Sequence, residues 1–171
     1  EDLIFLFAGP GAARDGLIQE TKDRNLTNVV FIPSQPKDRM PAIWSLCDVA
    51  LVHLKDSPVF AEVIPSKIFE AMGMGLPLLI AAPDGEATEI VNRSGAGLVV
   101  PPEDANALIH AIERFLDDSA FKHSAGKRSL AAAPSHSRAF QAKIMMTALR
   151  AAVSELGDTA AEQVEKVELL S

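Results

Sequence analysis

The chain has 171 residues, 48% of them hydrophobic and 23% charged, a composition typical of one globular domain with its own core. Lys and Arg number 16 and Asp and Glu number 23, so the formal net charge is −7. This balance argues against a general nucleic-acid binder, which presents a basic face. The single cysteine, Cys47, excludes an internal disulfide and a four-cysteine zinc site, and no apolar run approaches the roughly 18 residues that cross a bilayer.

The first residues lack the features of a signal peptide. Glu1-Asp2 leads straight into an apolar run over residues 3–8, with no basic segment before it and no cleavage site after it. We therefore expect the chain to be a piece of a larger protein.

Short apolar runs alternate with amphipathic stretches along the chain. The runs predict strands over residues 3–8, 29–33, 49–54, 78–82 and 97–101. The stretches predict helices over residues 12–24, 38–46, 65–74, 86–93, 104–117, 119–132 and 135–156. Continuously apolar strands that alternate with helices are typical of parallel sheets covered on both faces. The fold class predicted is α/β, with a doubly wound, Rossmann-like parallel sheet and flanking helices.

Three helix boundaries have a local physical reason. Pro65 suits the first helical position, where its missing N–H costs nothing, and Asp104 suits an N-cap. Gly157 is expected to end the last helix, which divides the chain into a domain over residues 1–156 and a tail over 157–171. Val164, Val167 and Leu170 recur at three-residue spacing, which favours a docked helix over a frayed end for this tail.

A glycine turn follows the first predicted strand, at the sheet edge where α/β proteins bind ligands. Gly9 and Gly11 permit close backbone approach, but Arg14 stands where a dinucleotide fingerprint needs its third glycine. The next strand ends in Ile32-Pro33 and not in the acidic residue that would hold a ribose. A phosphate-approaching turn and a purely structural tight turn both remain open.

The segment over residues 58–75 is the most informative. The helix predicted from Pro65 presents its unpaired N–H groups near Ser66 and Lys67, which together form an anion cradle suited to a diphosphate. Glu62 precedes this helix and Glu70 lies inside it, and a ribose and a hexose joined to a diphosphate would supply hydroxyl donors to both carboxylates. The alternative interpretation is that these acidic residues only complement the helix dipole.

Glu62 and Glu70 are separated by seven residues and followed by Ala-Met-Gly-Met-Gly-Leu-Pro over residues 71–77. This pattern resembles the E-x7-E motif of retaining glycosyltransferases of family 4. From residue 3 to about 156 the chain resembles the C-terminal, donor-binding half of that family's two-domain GT-B fold. The segments 55–58 and 64–70 are similar to the branch that builds bacterial cell-surface polysaccharides. The opening strand into Gly9-Pro10-Gly11 and the segments 28–33 and 95–102 support the family resemblance.

The resemblance implies a role for each matching residue. Glu70 would hold the ribose hydroxyls, Glu62 would face the transferred sugar, and Lys67 with the helix N-terminus would stabilise the leaving diphosphate, which makes Glu62 and Lys67 the catalytic candidates. The donor-binding residues implied are Gly9, Gly11, Pro33, Ser34, Val63, Ile64, Pro65, Ser66, Lys67 and Glu70.

The resemblance also implies a function. The chain would bind a nucleotide diphosphate sugar, with uridine as the expected base, and the full protein would transfer the sugar with retention to a glycan or lipid-linked acceptor. It implies an acceptor-binding N-terminal domain, without which the fragment would be inactive. It implies a cytoplasmic location, with membrane contact through that other domain. The resemblance implies that no metal or cofactor is used, and the sequence agrees with this, since it has no Asp-x-Asp. The nearest pattern, Asp84-Gly85-Glu86, is interpreted as an N-cap turn.

Other side chains receive less specific interpretations. His53 is interpreted as structural, with a contact to the donor as the alternative. Lys55 is either a phosphate contact or a solvated lysine, and Cys47 is interpreted as a core filler. The remaining histidines, His110, His123 and His136, are expected at the surface, and Met72, Met74, Met145 and Met146 in the core. Two other functions remain open: a nucleotide-sugar 2-epimerase of the same fold, and a nucleotide-binding α/β module without chemistry.

Overall fold

The computed structural model of the protein describes the backbone of residues 3–168 and side chains through residue 154. Its strands are β1 (Phe5–Ala8), β2 (Val29–Ile32), β3 (Ala50–His53), β4 (Leu78–Ala81) and β5 (Gly97–Val100). Its helices are α1 (Arg14–Asp23), α2 (Met40–Trp44), α3 (Pro58–Ala61), α4 (Ser66–Gly73), α5 (Glu86–Ser94), α6 (Ala105–Asp117), α7 (Ser119–Ala132) and α8 (Arg138–Glu168). Short 3-10 turns precede α2 and α8.

All strand pairs are parallel, and helices alternate with strands, so the α/β class predicted from the sequence is confirmed. The strands form two ladders: β1 pairs only with β2, and β3, β4 and β5 form a separate ladder in that order. In the classic doubly wound sheet the spatial strand order is 3-2-1-4-5-6. The first strand therefore lies between the half with strands 2 and 3 and the half with strands 4 to 6. The described residues contain no such strand, and the two ladders stay separate.

The core is built around β4, whose four residues are all buried. Leu78 and Ile80 pack into a cluster with α4 and α5, while Leu79 and Ala81 pack on the opposite face with Phe115 of α6. Successive side chains of a strand point to opposite faces, so an unbroken apolar strand requires cover on both sides. The second sheet meets this requirement.

The first sheet lacks this apolar cover on its two faces. No described residue before Ala50 is buried, although β1 and β2 are as apolar as β4. Ile4 is 67% exposed and Val30 43% exposed. Residues 3–49 therefore form a β1–α1–β2 unit followed by α2, with little apolar cover of its own.

Several predicted boundaries differ from the structure. Pro65 is the N-cap of α4 and not its first helical residue, and α3 was not predicted because a single four-residue turn has no period to detect. The expectation that Gly157 ends the last helix is wrong, since α8 continues to Glu168. An interior glycine costs a helix only about 0.5–1 kcal/mol relative to alanine, and the helix-forming residues around it offset that.

Two predictions concern the end of the chain. The first is that residues 157–171 dock as a helix, and the side chains of these residues lie outside the described part. The second is the domain boundary at residue 156, which stays a prediction. Met72 is buried, as expected, but Met74, the C-cap of α4, and Met145 and Met146 on α8 are exposed, so the expectation of core positions is wrong for these three. Within residues 3–168, none of the helices combines the length and the hydropathy that a membrane span requires.

Candidate functional site

Helix α4 is oriented by its apolar face. Ile68, Ala71 and Met72 are buried at helical spacing against the second sheet. Lys67 and Glu70 lie on the rest of the helix surface, and both are exposed to solvent.

The N-terminus of α4 is open. The extended backbone of Pro65 begins the helix, and its carbonyl accepts a hydrogen bond from the Ile68 N–H at 3.1 Å. No side chain caps this end, and no described backbone carbonyl accepts from the N–H groups of Ser66 or Lys67. Lys67 forms no ion pair among the described side chains. The first turn thus presents free N–H donors, the positive end of the helix dipole and a cation, which suits an anion.

Glu62 lies in the segment that leads into α4. It is the C-cap of α3 and is exposed, and the chain continues through Val63 to Ile64, whose side chain packs on the core cluster and anchors the segment. The turn before α5 lies directly against α3, because a Cβ added at Gly85 would overlap the Ala61 carbonyl oxygen. The position of Glu62 therefore depends on a backbone contact that only glycine permits.

Glu70 is held by two donors. The Trp44 indole Nε1–H donates to Glu70 Oε2 at 3.4 Å, and the Ser66 hydroxyl donates to Oε1 at 3.4 Å. Ser66 lies one turn before Glu70 in α4, whereas Trp44 is the last residue of α2. Trp44 was not predicted as a site residue, since no sequence spacing links residues 26 positions apart on two helices.

The glycine turn follows β1 as expected. Gly9 has φ +118°, a conformation that favours glycine, and its N–H donates to the Ile32 carbonyl at 3.2 Å. Gly11, Pro33 and Ser34 are exposed at the carboxyl ends of the first sheet. No described hydrogen bond or ion pair joins these residues to the segment from Glu62 to Glu70, so the structure leaves them as two separate groups.

Two surface hollows lie at the carboxyl edge of the second sheet. One, of about 280 Å³, is bordered by His53, Lys55 and Asp104, and the other, of about 440 Å³, by Asp56 and Asp84. Neither includes Glu62, Lys67 or Glu70, which lie on open surface. Neither hollow could be predicted from the sequence, because the first depends on how the strand ends meet α6 and the second on how the loops after β4 and β5 lie together.

The structure confirms some of the predictions for the histidines and Cys47 and contradicts others. His53 is exposed beside the smaller hollow and has no described hydrogen-bond partner, so the structural interpretation is wrong. His110 and His123 are exposed as expected, but His136 is half-buried and stacks on Phe69 with ring centroids 5.1 Å apart. Cys47 packs against the core, and burial, with a smaller effect from the Asp48 charge, raises the pKa of its thiol.

The acidic residues do not form a metal site in the described part of the chain, where no group of three His, Cys, Asp or Glu side chains converges. At the turn before α5, the Gly85 N–H donates to the Thr88 hydroxyl at 3.0 Å, so the cap is Gly85 with Thr88. The interpretation of residues 84–86 as an N-cap turn is thereby confirmed. Asp104 is also confirmed as an N-cap, since its carboxylate accepts from the Ala107 N–H at 2.9 Å.

Comparison with known protein families identifies the chain. The family described as "Glycosyl transferases group 1" matches residues 1–131, which is most of the sequence. The chain belongs to the glycosyl transferases group 1 family. The expected glycosyltransferase assignment is confirmed at this level.

A bacterial relative of this group 1 chain is WcaI of Escherichia coli (strain K12), whose name assigns it to colanic acid biosynthesis as a glycosyl transferase. The two are 32% identical over 120 residues, which is 68% of this chain and 29% of WcaI. The match thus spans less than a third of the relative's length. The expectation of relatives in bacterial polysaccharide biosynthesis is confirmed.

Solved structures agree on the fold. A sucrose-phosphate synthase from Thermosynechococcus elongatus superposes with a TM-score of 0.64 at 26% identity, over 86% of this chain and 38% of that one. WaaG, a glycosyltransferase involved in lipopolysaccharide biosynthesis, superposes with a TM-score of 0.63 at 18% identity, over 78% of this chain and 34% of that one. The GT-B, Rossmann-like fold predicted from the sequence is confirmed.

Proposed function

We propose that this chain is the donor-binding, C-terminal part of a retaining glycosyltransferase of family 4. The observation that carries the proposal is the open N-terminus of α4, with its free N–H groups and Lys67, preceded in the chain by the exposed Glu62 and followed by the exposed Glu70. An anion site with a carboxylate on either side fits a diphosphate that joins a ribose to a hexose.

The site contributes little covalent chemistry, so its role is electrostatic. Loss of the diphosphate leaves a cationic, oxocarbenium-like sugar and concentrates negative charge on the leaving oxygens. Lys67 and the N–H groups of Ser66 and Lys67 stabilise that charge, while Glu62 faces the sugar. Glu70 accepts the ribose hydroxyls.

The other residues extend the donor site along the sheet edge. We assign the base to the loop at Pro33 and Ser34, and the phosphates to the turn at Gly9 and Gly11. The backbone from Val63 through Pro65 lines the sugar and diphosphate. Uridine is the base we propose, and the site works without a metal.

The remaining parts of the enzyme are proposals as well. The chain covers 29% of WcaI, so an acceptor-binding domain is expected in a longer protein, and residues 1–171 alone are expected to be inactive. Names of bacterial relatives refer to polysaccharide biosynthesis, which supports a glycan or lipid-linked acceptor. Such an acceptor places the enzyme in the cytoplasm at the inner membrane face. Residues 157–171 are proposed to dock as a helix.

The first prediction concerns Glu70. Calorimetric titration of the chain with uridine diphosphate (UDP) in the presence of EDTA should show binding, and Glu70→Ala should weaken it about tenfold, because each ribose hydroxyl loses a charged acceptor. Glu113→Ala, which removes an exposed carboxylate from α6, is the matched control and should bind as the parent does.

A variant of Glu62 distinguishes binding of the sugar from binding of the nucleotide. Glu62→Ala should weaken binding of a UDP-hexose while it leaves the affinity for UDP unchanged. Absence of any nucleotide binding would contradict the proposal. Inversion of the donor sugar without acceptor, in a longer protein that contains this chain, would instead indicate a 2-epimerase.

A further inference from the structure

We infer that Trp44 is a positioning residue for nucleotide binding: its indole N–H fixes the carboxylate of Glu70 in the orientation that receives ribose hydroxyls. The inference rests on the proposed function, and it adds a residue outside the E-x7-E segment. Trp44 touches no substrate in this proposal, and it acts only through Glu70.

The two donors occupy different oxygens of the same carboxylate. Trp44 donates to Oε2 and Ser66 to Oε1, each at 3.4 Å. An ionised carboxylate has about four lone-pair sites, so one donor on each oxygen still leaves both oxygens free to accept a hydroxyl. An exposed glutamate otherwise samples several rotamers, and a carboxylate fixed in advance loses less entropy when it binds.

Trp44 suits this role because its ring is anchored. The side chain is half-buried and packs against the core cluster that includes Ile68 and Met72 of α4. Indole nitrogen is a donor only, so at this position it can orient an acceptor but cannot compete with one for the ligand's hydroxyls.

The contact also joins two parts of the molecule. Among the described side chains, the Trp44–Glu70 bond is the one side-chain hydrogen bond that links residues before Ala50 to residues after it. Trp44 follows β2 in the chain, and the proposed base loop at Pro33 and Ser34 directly follows the same strand. Trp44 therefore ties the ribose acceptor to the unit that is proposed to hold the base.

The test compares UDP with its 2′,3′-dideoxy analogue, which lacks the ribose hydroxyls. Trp44→Phe keeps an aromatic ring in the core and removes the donor. We expect it to weaken UDP binding about three- to tenfold and to leave binding of the dideoxy analogue unchanged. In a Glu70→Ala background, Trp44→Phe should have no further effect, because residues that act through one another are not additive.

The fluorescence of the chain provides an independent measurement, since Trp44 is its only tryptophan. Glu70→Ala removes a negative charge beside the indole and should shift the emission of the unliganded protein, and UDP should change the emission of the parent chain. Glu62→Ala is the matched control, because no described contact joins Glu62 to Trp44, and it should leave the unliganded spectrum unchanged.

The outcomes separate this inference from the proposed function. If Glu70→Ala weakens UDP binding but Trp44→Phe does not, only the role of Trp44 is overturned. An equal loss of affinity for UDP and the dideoxy analogue would show that Trp44 is structural, which also overturns it. If Glu70→Ala leaves UDP affinity unchanged, the proposed function fails and the inference fails with it.

Discussion

The two glutamates show what single residues reveal from sequence. Their spacing and the apolar positions between them were enough to predict that Glu62 and Glu70 flank the start of one helix, and both are exposed there. Trp44 could not be predicted, because its contact with Glu70 depends on how α2 packs beside α4. His53 was misjudged for the same reason, since exposure at the end of a strand is decided by the neighbouring elements.

Lys67 provides a prediction at this scale. Lys67→Ala should weaken UDP binding about tenfold, because the diphosphate loses a charge-assisted partner, and the remaining affinity should depend less on salt concentration. Calorimetric titrations at low and high sodium chloride measure both effects.

Lys127 is the control for this variant, and Lys55 is the alternative contact to the anion. Lys127 is exposed on α7, and Lys127→Ala should leave affinity and salt dependence unchanged. Lys55→Ala tests whether the lysine beside the smaller hollow contacts phosphate. A loss with Lys55→Ala and none with Lys67→Ala would move the anion site to that hollow.

Whole elements were predicted well where periodicity is long enough to detect. Helix α4 has three buried residues at helical spacing, and β4 is an unbroken apolar run, so both are recognisable without a structure. The short helix α3 has one turn and no period. Its contact with Gly85 is equally hidden in the sequence, because it joins two backbones and involves no characteristic side chain.

The contact at Gly85 can be tested by adding one methyl group. Gly85→Ala should lower the melting temperature, since its Cβ would overlap the Ala61 carbonyl and force the two segments apart, at a cost of about 1–3 kcal/mol. It should also weaken binding of a UDP-hexose, because the segment that moves carries Glu62. Differential scanning fluorimetry and calorimetric titration measure the two effects.

Gly73→Ala is the matched control for Gly85→Ala. A Cβ at Gly73 meets nothing within 4 Å, and this position is the last residue of α4, where alanine is also the better helix former. The melting temperature should stay the same or rise. Equal destabilisation by both substitutions would contradict the proposed close contact.

At the scale of the molecule, the alternation of strands and helices predicted the α/β class but not the division into two ladders. Hydrogen bonds between strands that are distant in the chain leave no trace in local composition. Nor could the apolar content of β1 and β2 reveal that the first sheet lacks buried residues, because composition shows which side chains need cover and not whether they receive it.

The difference in burial between the two sheets predicts that their backbone amides exchange with deuterium at different rates. Backbone amides of β1 and β2 should exchange with deuterium at least about tenfold faster than those of β4, because local opening exposes little apolar surface in the first sheet and much in the second. Hydrogen exchange followed by mass spectrometry or NMR of the chain at neutral pH measures the two sets. Equal protection would contradict the prediction.

The uncovered first sheet has a thermodynamic consequence for ligand affinity. A nucleotide that touched both Ser34 and α4 would bind only the fraction of molecules in which residues 3–49 are folded against the rest. Its measured dissociation constant would then equal the intrinsic value divided by that fraction. Substitutions that bury Val30 or Ile4, far from any phosphate, would tighten binding without a new contact to the ligand.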